Sequence, residues 1–293
     1  MLRIDGQTKL TGIIGYPLRY TLSPVLHNAA FQHLSLNWCY VPLPVERPLL
    51  HQALEGIKAL NFVGINVTMP YKEEVIPFLD EIASYARIVG AVNTIHVKGN
   101  RLIGYNTDGR GFLASLQRDA KFDPKGKNIL IVGAGGAARS IAVSLALAGA
   151  NYIAILNRTL ERAHSLGQLL QENFPSCEVE AMDFEADLSY VFLKAEVVIN
   201  ATPVGMDPKS GELPFPVELL KPKHLVCDLI YKPRETLLLK LAKEKGARTL
   251  GGLGMLLHQG AAAFEIWTNL EPPIAVMRKA LEEALGEDRH GEG

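Results

Sequence analysis

The run Gly133-Ala134-Gly135-Gly136-Ala137-Ala138 has the spacing of a turn that cradles a pyrophosphate. Gly133 permits a tight turn. Gly135 lets the backbone approach a phosphate at a helix N-terminus, and a small Ala138 lets helix and strand pack closely. Such a motif carries weight only when a strand precedes it and a helix follows. Residues 127–132 are a continuous apolar run of the kind buried in parallel sheets, and a helical pattern follows the glycines. The next strand ends in Asn157-Arg158-Thr159. An NAD site usually has Asp or Glu near this point to accept from the adenosine ribose 2′-hydroxyl. Asn157 is neutral, whereas Arg158 is a cation with a fixed fork of donors that suits a 2′-phosphate. Arg162, read as one helical turn on, reinforces it. These residues point to NADP over NAD; the plainer alternative is two solvated arginines at a helix start.

Acid/base chemistry has fewer candidates. Asn66-Val67-Thr68-Met69-Pro70-Tyr71-Lys72 ends one strand, and Asn106-Thr107-Asp108-Gly109 closes a hairpin and opens a helix. Lys72 and Asp108 can exchange a proton with a substrate alcohol or ketone if a cleft brings them together. Taken singly, Lys72 reads as a surface lysine and Asp108 as a helix cap. The 8 histidines show no paired helical ligand spacing, so no metal is expected.

The elements that position these residues follow from periodicity and punctuation. Strands are expected at 11–15, 61–67, 152–156, 197–200 and 225–230, with a hairpin of 91–97 and 101–105 around Gly99-Asn100. Helices are expected from Ser23, read as the cap with Pro24 in the first turn, and at 71–79, 160–172, 255–267 and 273–285. The polar tail 286–293 is expected to be mobile. The alternation beyond residue 123 implies right-handed βαβ units and a doubly wound sheet. At 293 residues the chain has room for two α/β domains. Lys plus Arg is 30 against 31 for Asp plus Glu, so no charge excess favours nucleic acid or an anionic membrane as partner. The uncharged stretch 140–157 is interrupted at Gly149-Ala150-Asn151 and reads as helix, turn and strand rather than a membrane span. Cys39, Cys177 and Cys227 are too few and too far apart for a disulfide framework or a zinc site, which suits a reducing compartment, and no signal peptide is visible.

Taken together, the motifs resemble the shikimate dehydrogenase (AroE) family. They stand in order as Gly15-Tyr16-Pro17 with Leu22-Ser23-Pro24-x-x-His27-Asn28, Asn66-Val67-Thr68-x-Pro70-x-Lys72, Gly90-Ala91-Val92-Asn93-Thr94, Asn106-Thr107-Asp108-Gly109, the glycine turn, Asn157-Arg158-Thr159, Ala201-Thr202-Pro203-x-Gly205-Met206 and Gln259-Gly260. The resemblance spans residues 12–260. It implies NADP-dependent, reversible reduction of 3-dehydroshikimate to shikimate in aromatic amino acid biosynthesis. The implied architecture is an N-terminal α/β substrate domain plus a Rossmann-type doubly wound NADP domain: residues 1–109 and 255–293 for substrate, 110–254 for NADP, facing across a cleft. Lys72 would be the proton donor and acceptor, with Asp108 bonded to it and to a substrate hydroxyl. Thr21 and Ser23 would hold the substrate carboxylate, and Asn66, Thr68, Asn93, Tyr231 and Gln259 would surround the ring. Thr202, Leu229 and Gly252 would join Gly133, Ala134, Gly135, Gly136, Ala137, Asn157, Arg158, Thr159 and Arg162 at the cofactor. His27 is expected to pack locally. One departure is Thr21, where the family usually has Ser; the added methyl could tilt the site toward quinate. The remaining alternatives are a quinate/shikimate dehydrogenase accepting NAD and a non-catalytic dinucleotide-binding regulator. Cytoplasmic location is expected, and a homodimer is left open.

Overall fold

The computed structural model describes residues 4–19 and 21–287. The chain divides into two compact units, Met1–Thr107 with Leu257–Gly293, and Asp108–Leu256.

The first unit is built on a six-stranded sheet. Its strands are β1 (Lys9–Gly15), β2 (Trp38–Pro44), β3 (Gly64–Val67), β4 (Glu81–Ile82), β5 (Thr94–Lys98) and β6 (Arg101–Tyr105). They lie in the order β2-β1-β3-β5-β6-β4. Three neighbouring pairs are parallel; β3–β5 and the β5–β6 hairpin are antiparallel. The helices of this part are α1 (Ser23–His33), α2 (Leu50–Ala59) and α3 (Ser84–Val89). α2 presents Leu50, Leu54 and Ile57 to a core that includes Ile14, Ile65, Val67 and Ile95. That spacing is the apolar stripe of an amphipathic helix.

The second unit contains α4 (Asp108–Arg118), β7 (Asn128–Val132), α5 (Gly136–Leu147), β8 (Tyr152–Leu156), α6 (Leu160–Asn173), β9 (Glu178–Met182), α7 (Ser189–Lys194), β10 (Val197–Asn200), β11 (Leu225–Asp228), α8 (Leu237–Glu244) and β12 (Arg248–Leu250). Its sheet is parallel throughout, in the order β12-β11-β10-β7-β8-β9. Read from the other edge, this is the strand order of the dinucleotide-binding doubly wound fold, with the topological switch between β7 and β10. β7 and β8 are apolar along nearly their whole length because both faces are covered. The uncharged stretch 140–157 is the body of α5, a turn with Gly149 at φ +87°, and β8. No helix among the described residues is long and apolar enough to cross a membrane.

The last two helices are α9 (Leu253–Thr268) and α10 (Ile274–Glu287). The Trp267 indole of α9 donates to the Ile95 carbonyl at 3.0 Å, Phe264 packs on Phe31 of α1, and α10 packs on α1.

Several expectations need correction. Ser23 is not a cap: it is the first residue of α1, Leu22 is the N-cap, and no side chain caps the helix there. The Ser23 N–H instead donates to Thr21 Oγ1 at 3.4 Å. The strand expected from residue 61 starts at Gly64, because Asn61 sits in the left-handed region at φ +55°. Residues 71–79 do not form an α-helix; they form turns and a single 3-10 turn, Ile76–Phe78. Pro77 within the segment removes an amide that a continuous helix would use. Residues 286–287 belong to α10, and 288–293 lie outside the described residues.

Candidate active site

In the second unit the glycine turn sits at the carboxyl end of β7, opposite the end of β10. Gly133 has φ +112°, and a Cβ there would lie 3.1 Å from the carbonyl oxygen of Ala201 and from Thr202 Cγ2. Only glycine fits this left-handed, crowded position. Gly135 is different: it is exposed, it is the N-cap of α5, and a Cβ there would meet nothing within 4 Å. The N-terminus of α5 begins at this exposed glycine at the switch point, where an anionic group is favoured by both donors and dipole. Ala134 and Ala138 are buried, and Gly136 and Ala137 are half-buried.

The next crossover supplies charge. Asn157 is pinned, its Nδ2 donating to the Thr159 carbonyl at 2.8 Å. Thr159 is the N-cap of α6, so Arg158 stands before the helix and Arg162 in its first turn. Helical spacing therefore does not relate the two arginines, contrary to the sequence reading. Both are exposed, and no carboxylate among the described residues pairs with either. The residues present fit a dinucleotide carrying an extra phosphate on its adenosine ribose.

In the first unit, polar side chains form one buried chain of bonds. Tyr40 Oη donates to Asn66 Oδ1 at 2.7 Å. Asn66 Nδ2 donates to the Asn93 carbonyl and to Thr94 Oγ1, each at 3.1 Å. Asn93 Oδ1 accepts from the Thr107 amide at 2.8 Å and from Thr94 Oγ1 at 3.0 Å. Asn93 Nδ2 donates to Thr107 Oγ1 at 2.9 Å and reaches Gln259 Oε1 at 3.4 Å. The structure thus brings together Asn66, Asn93 and Gln259. Ser23 is buried close to the Tyr40 hydroxyl, and Thr21 is half-buried beside it in sequence. Thr68 is half-buried at the end of β3. Lys72 is half-buried, its carbonyl accepting from the Val92 amide at 2.7 Å. Asp108 and Tyr231 belong to the other unit, Asp108 as the buried first residue of α4.

His27 is fully buried and stacks on Tyr40 with ring centroids 4.5 Å apart. Neither ring nitrogen makes a hydrogen bond of normal geometry. Burial pulls its pKa down to about 3, and the nearby Asn66 amide offsets this only in part. The folded protein therefore holds His27 neutral while the unfolded chain protonates it from its ordinary 6.5 downward. The stability this contributes is present above pH 6.5 and is lost as pH falls toward about 3. The expected slope is about 1.4 kcal/mol per pH unit in that window. Urea unfolding as a function of pH, with His27→Leu expected to remove that part of the slope, checks it. An unchanged slope in the variant would assign the pH dependence to other groups.

Comparison with known proteins decides the family. Three family models match: the shikimate dehydrogenase substrate binding domain over residues 13–95, shikimate/quinate 5-dehydrogenase over 115–205, and the shikimate 5′-dehydrogenase C-terminal domain over 252–282. An NADP(+) shikimate dehydrogenase of Desulforamulus reducens is 46% identical over 97% of this chain and 98% of its own. The chain belongs to the shikimate dehydrogenase family. Among solved structures, a shikimate dehydrogenase in complex with NADP+ matches with a TM-score of 0.90 at 43% identity, covering 97% of this chain and 98% of that one. The shikimate dehydrogenase of Listeria monocytogenes, in complex with shikimate and NAD, matches with a TM-score of 0.89 at 39% identity, covering 95% and 98%. The α/β architecture, with a substrate domain and a Rossmann-type domain, is that of the shikimate dehydrogenase family.

Sequence reading missed three buried polar residues in this family member. Tyr40, Asn200 and Asp228 carry no motif signal of their own. Asn200 and Asp228 could have been found as polar residues ending otherwise apolar parallel strands, at the sheet edge where ligands of such folds bind. Tyr40 looks like any β-strand tyrosine until its hydroxyl is seen to reach Asn66.

Proposed function

We infer that this chain is an NADP-dependent shikimate dehydrogenase, catalysing the reversible reduction of 3-dehydroshikimate to shikimate in aromatic amino acid biosynthesis. The observation that carries this reading is the match along almost the entire chain to an NADP(+) shikimate dehydrogenase. The exposed Arg158 and Arg162 beside the switch point support the choice of cofactor. The three cysteines are free and buried, and the absence of a disulfide among them suits a reducing cytoplasm.

The glycine turn 133–136 with Arg158 and Arg162 would hold NADP, whose nicotinamide would supply the hydride chemistry there. Lys72 Nζ gives a proton to the carbonyl oxygen and, as a cation, stabilises the alkoxide that develops there. Asp108 is proposed, on the family motif alone, as the carboxylate that serves a ring hydroxyl in the same reaction. Both amide hydrogens of Asn66 are committed within the protein, so Asn66 acts as a support. The long 3.4 Å contact between Asn93 and Gln259 is the one a ring hydroxyl would displace. Steady-state rates with shikimate and quinate, each with NADP and NAD, test the reading. Shikimate with NADP should be strongly preferred. Turnover mainly of quinate with NAD would establish the rival dehydrogenase, and no turnover at all would leave a non-catalytic dinucleotide binder.

Thr21 and Ser23 are proposed as the carboxylate clamp. Thr21 Oγ1 accepts from the Ser23 amide, which leaves its own proton for a ligand. Thr21→Val and Ser23→Ala should each weaken shikimate by about 1.5 kcal/mol, the lower end for a hydrogen bond to a charged group. Since Ser23 is not a cap, the thermal midpoint should move little for either variant. Parental KM in both would place the carboxylate elsewhere.

A further inference from the structure

Two polar residues end adjacent buried strands of the parallel sheet. Asn200 closes β10 and Asp228 closes β11, paired across the register. Their exposures are 0% and 1%. A carboxylate removed from water requires donors, and Asp228 has three. Asn200 Nδ2 donates to its Oδ1 at 3.1 Å, and the Ile230 amide donates to the same oxygen at 3.2 Å. Thr236 Oγ1 donates to Oδ2 at 2.7 Å. Thr236 also caps α8, accepting from the Leu239 amide, so its hydroxyl proton is left for Asp228.

A carboxylate can only accept, so it dictates which end of the Asn200 amide faces it. Nδ2 turns toward Asp228 and the Val204 carbonyl, the latter at 3.2 Å. Oδ1 is thereby turned to accept from both the amide (3.0 Å) and the hydroxyl (2.7 Å) of Thr202. Thr202 Oγ1 then accepts from the Val204 amide at 3.2 Å. Loop 201–205 is thus tied to an amide whose orientation the carboxylate sets. This loop is the one that abuts the glycine turn at Gly133. The other branch, through Ile230 and Thr236, holds the chain leaving β11, where the Leu229 carbonyl packs directly over Gly252.

We propose that Asp228 is a positioning residue of the cofactor site, fixing through Asn200 the shape of loop 201–205 against the phosphate turn. The proposal rests on the reading that NADP occupies the β7/β10 switch point. Stability alone does not explain the carboxylate. Burial raises its pKa despite the three donors, so the folded protein takes up its proton more readily than the unfolded chain. An ionised Asp228 therefore costs stability at neutral pH.

The isosteric Asp228→Asn removes the obligate acceptor while filling the same space. NADPH dissociation constants from fluorescence titration should rise about tenfold or more. The KM for shikimate at saturating NADP should stay within about twofold, and the thermal midpoint should fall little or rise. Asn200→Ala should reproduce the NADPH loss, and the double variant should be no worse than the poorer single one. If Asp228→Asn does not fold, Asn200→Ser carries the same comparison. Unchanged NADPH affinity in a folded variant would overturn the proposal. So would a loss of affinity for NADPH and shikimate alike together with a lower melting point, the mark of a general structural defect. A parent that binds NADH better than NADPH would instead count against the cofactor reading; the variant-to-parent ratio, read with whichever dinucleotide the parent binds, still tests Asp228.

Discussion

Lys72→Ala is expected to lower kcat by about 10²–10⁴-fold, the usual scale for a lost general acid/base, with a much smaller change in KM for shikimate. In the proposed mechanism the ammonium does two things at once: it supplies a proton and it places a positive charge beside the oxygen that becomes negative. Both are felt mainly in the transition state, so the loss falls on kcat. Alanine retains the main-chain bond in which the Lys72 carbonyl accepts from the Val92 amide, and this bond helps to keep the segment in place. Steady-state kinetics with a thermal melt of the same sample checks this. A variant with near-parental kcat removes Lys72 from the chemistry, and the proton must then come from elsewhere.

Arg158→Ala is expected to weaken NADP by about 1.5–3 kcal/mol, roughly 10- to 150-fold, and to leave NAD nearly unchanged. Only NADP presents a 2′-phosphate to the exposed guanidinium. Arg158 stands just before α6, so on this reading the helix amides and Arg162 in the first turn would act on the same anion and leave some preference in the variant. Parallel titrations with the two cofactors separate the outcomes. Equal weakening of both would mean that Arg158 shapes the loop and does not read the phosphate.

The Rossmann-type unit was legible because its local signals agree with one another. An apolar strand, a glycine turn and a helix follow in register, and β7 and β8 read as buried strands from their composition alone. The first unit was harder. β2 contains Pro42 and Pro44, which argue against a central strand; the structure tolerates them because β2 lies at the sheet edge. Residues 71–79 have a helix-like apolar pattern, yet Val75 and Tyr71 are buried from a chain of turns. Periodicity cannot tell these cases apart. The candidate site residues were legible only where a motif marked them. Tyr40, Asn200 and Asp228 make their side-chain bonds between strands far apart in sequence, and no local spacing encodes that.

The first unit is assembled from both ends of the chain, and this sets an order of events during synthesis. Residues 108–256 form a contiguous piece that leaves the ribosome with all its own strands present. β5, by contrast, waits for Trp267, Leu26 and Phe31 of α1 wait for α9, and α1 also waits for α10. Domains generally form as units in the order they emerge. Here the segment made first is the one completed last, and its apolar helix face stays uncovered through most of translation. Limited proteolysis of stalled nascent chains should find the middle piece protected before residues 4–107. The period in which a newly made molecule is most exposed to aggregation is therefore set by how quickly its last two helices arrive.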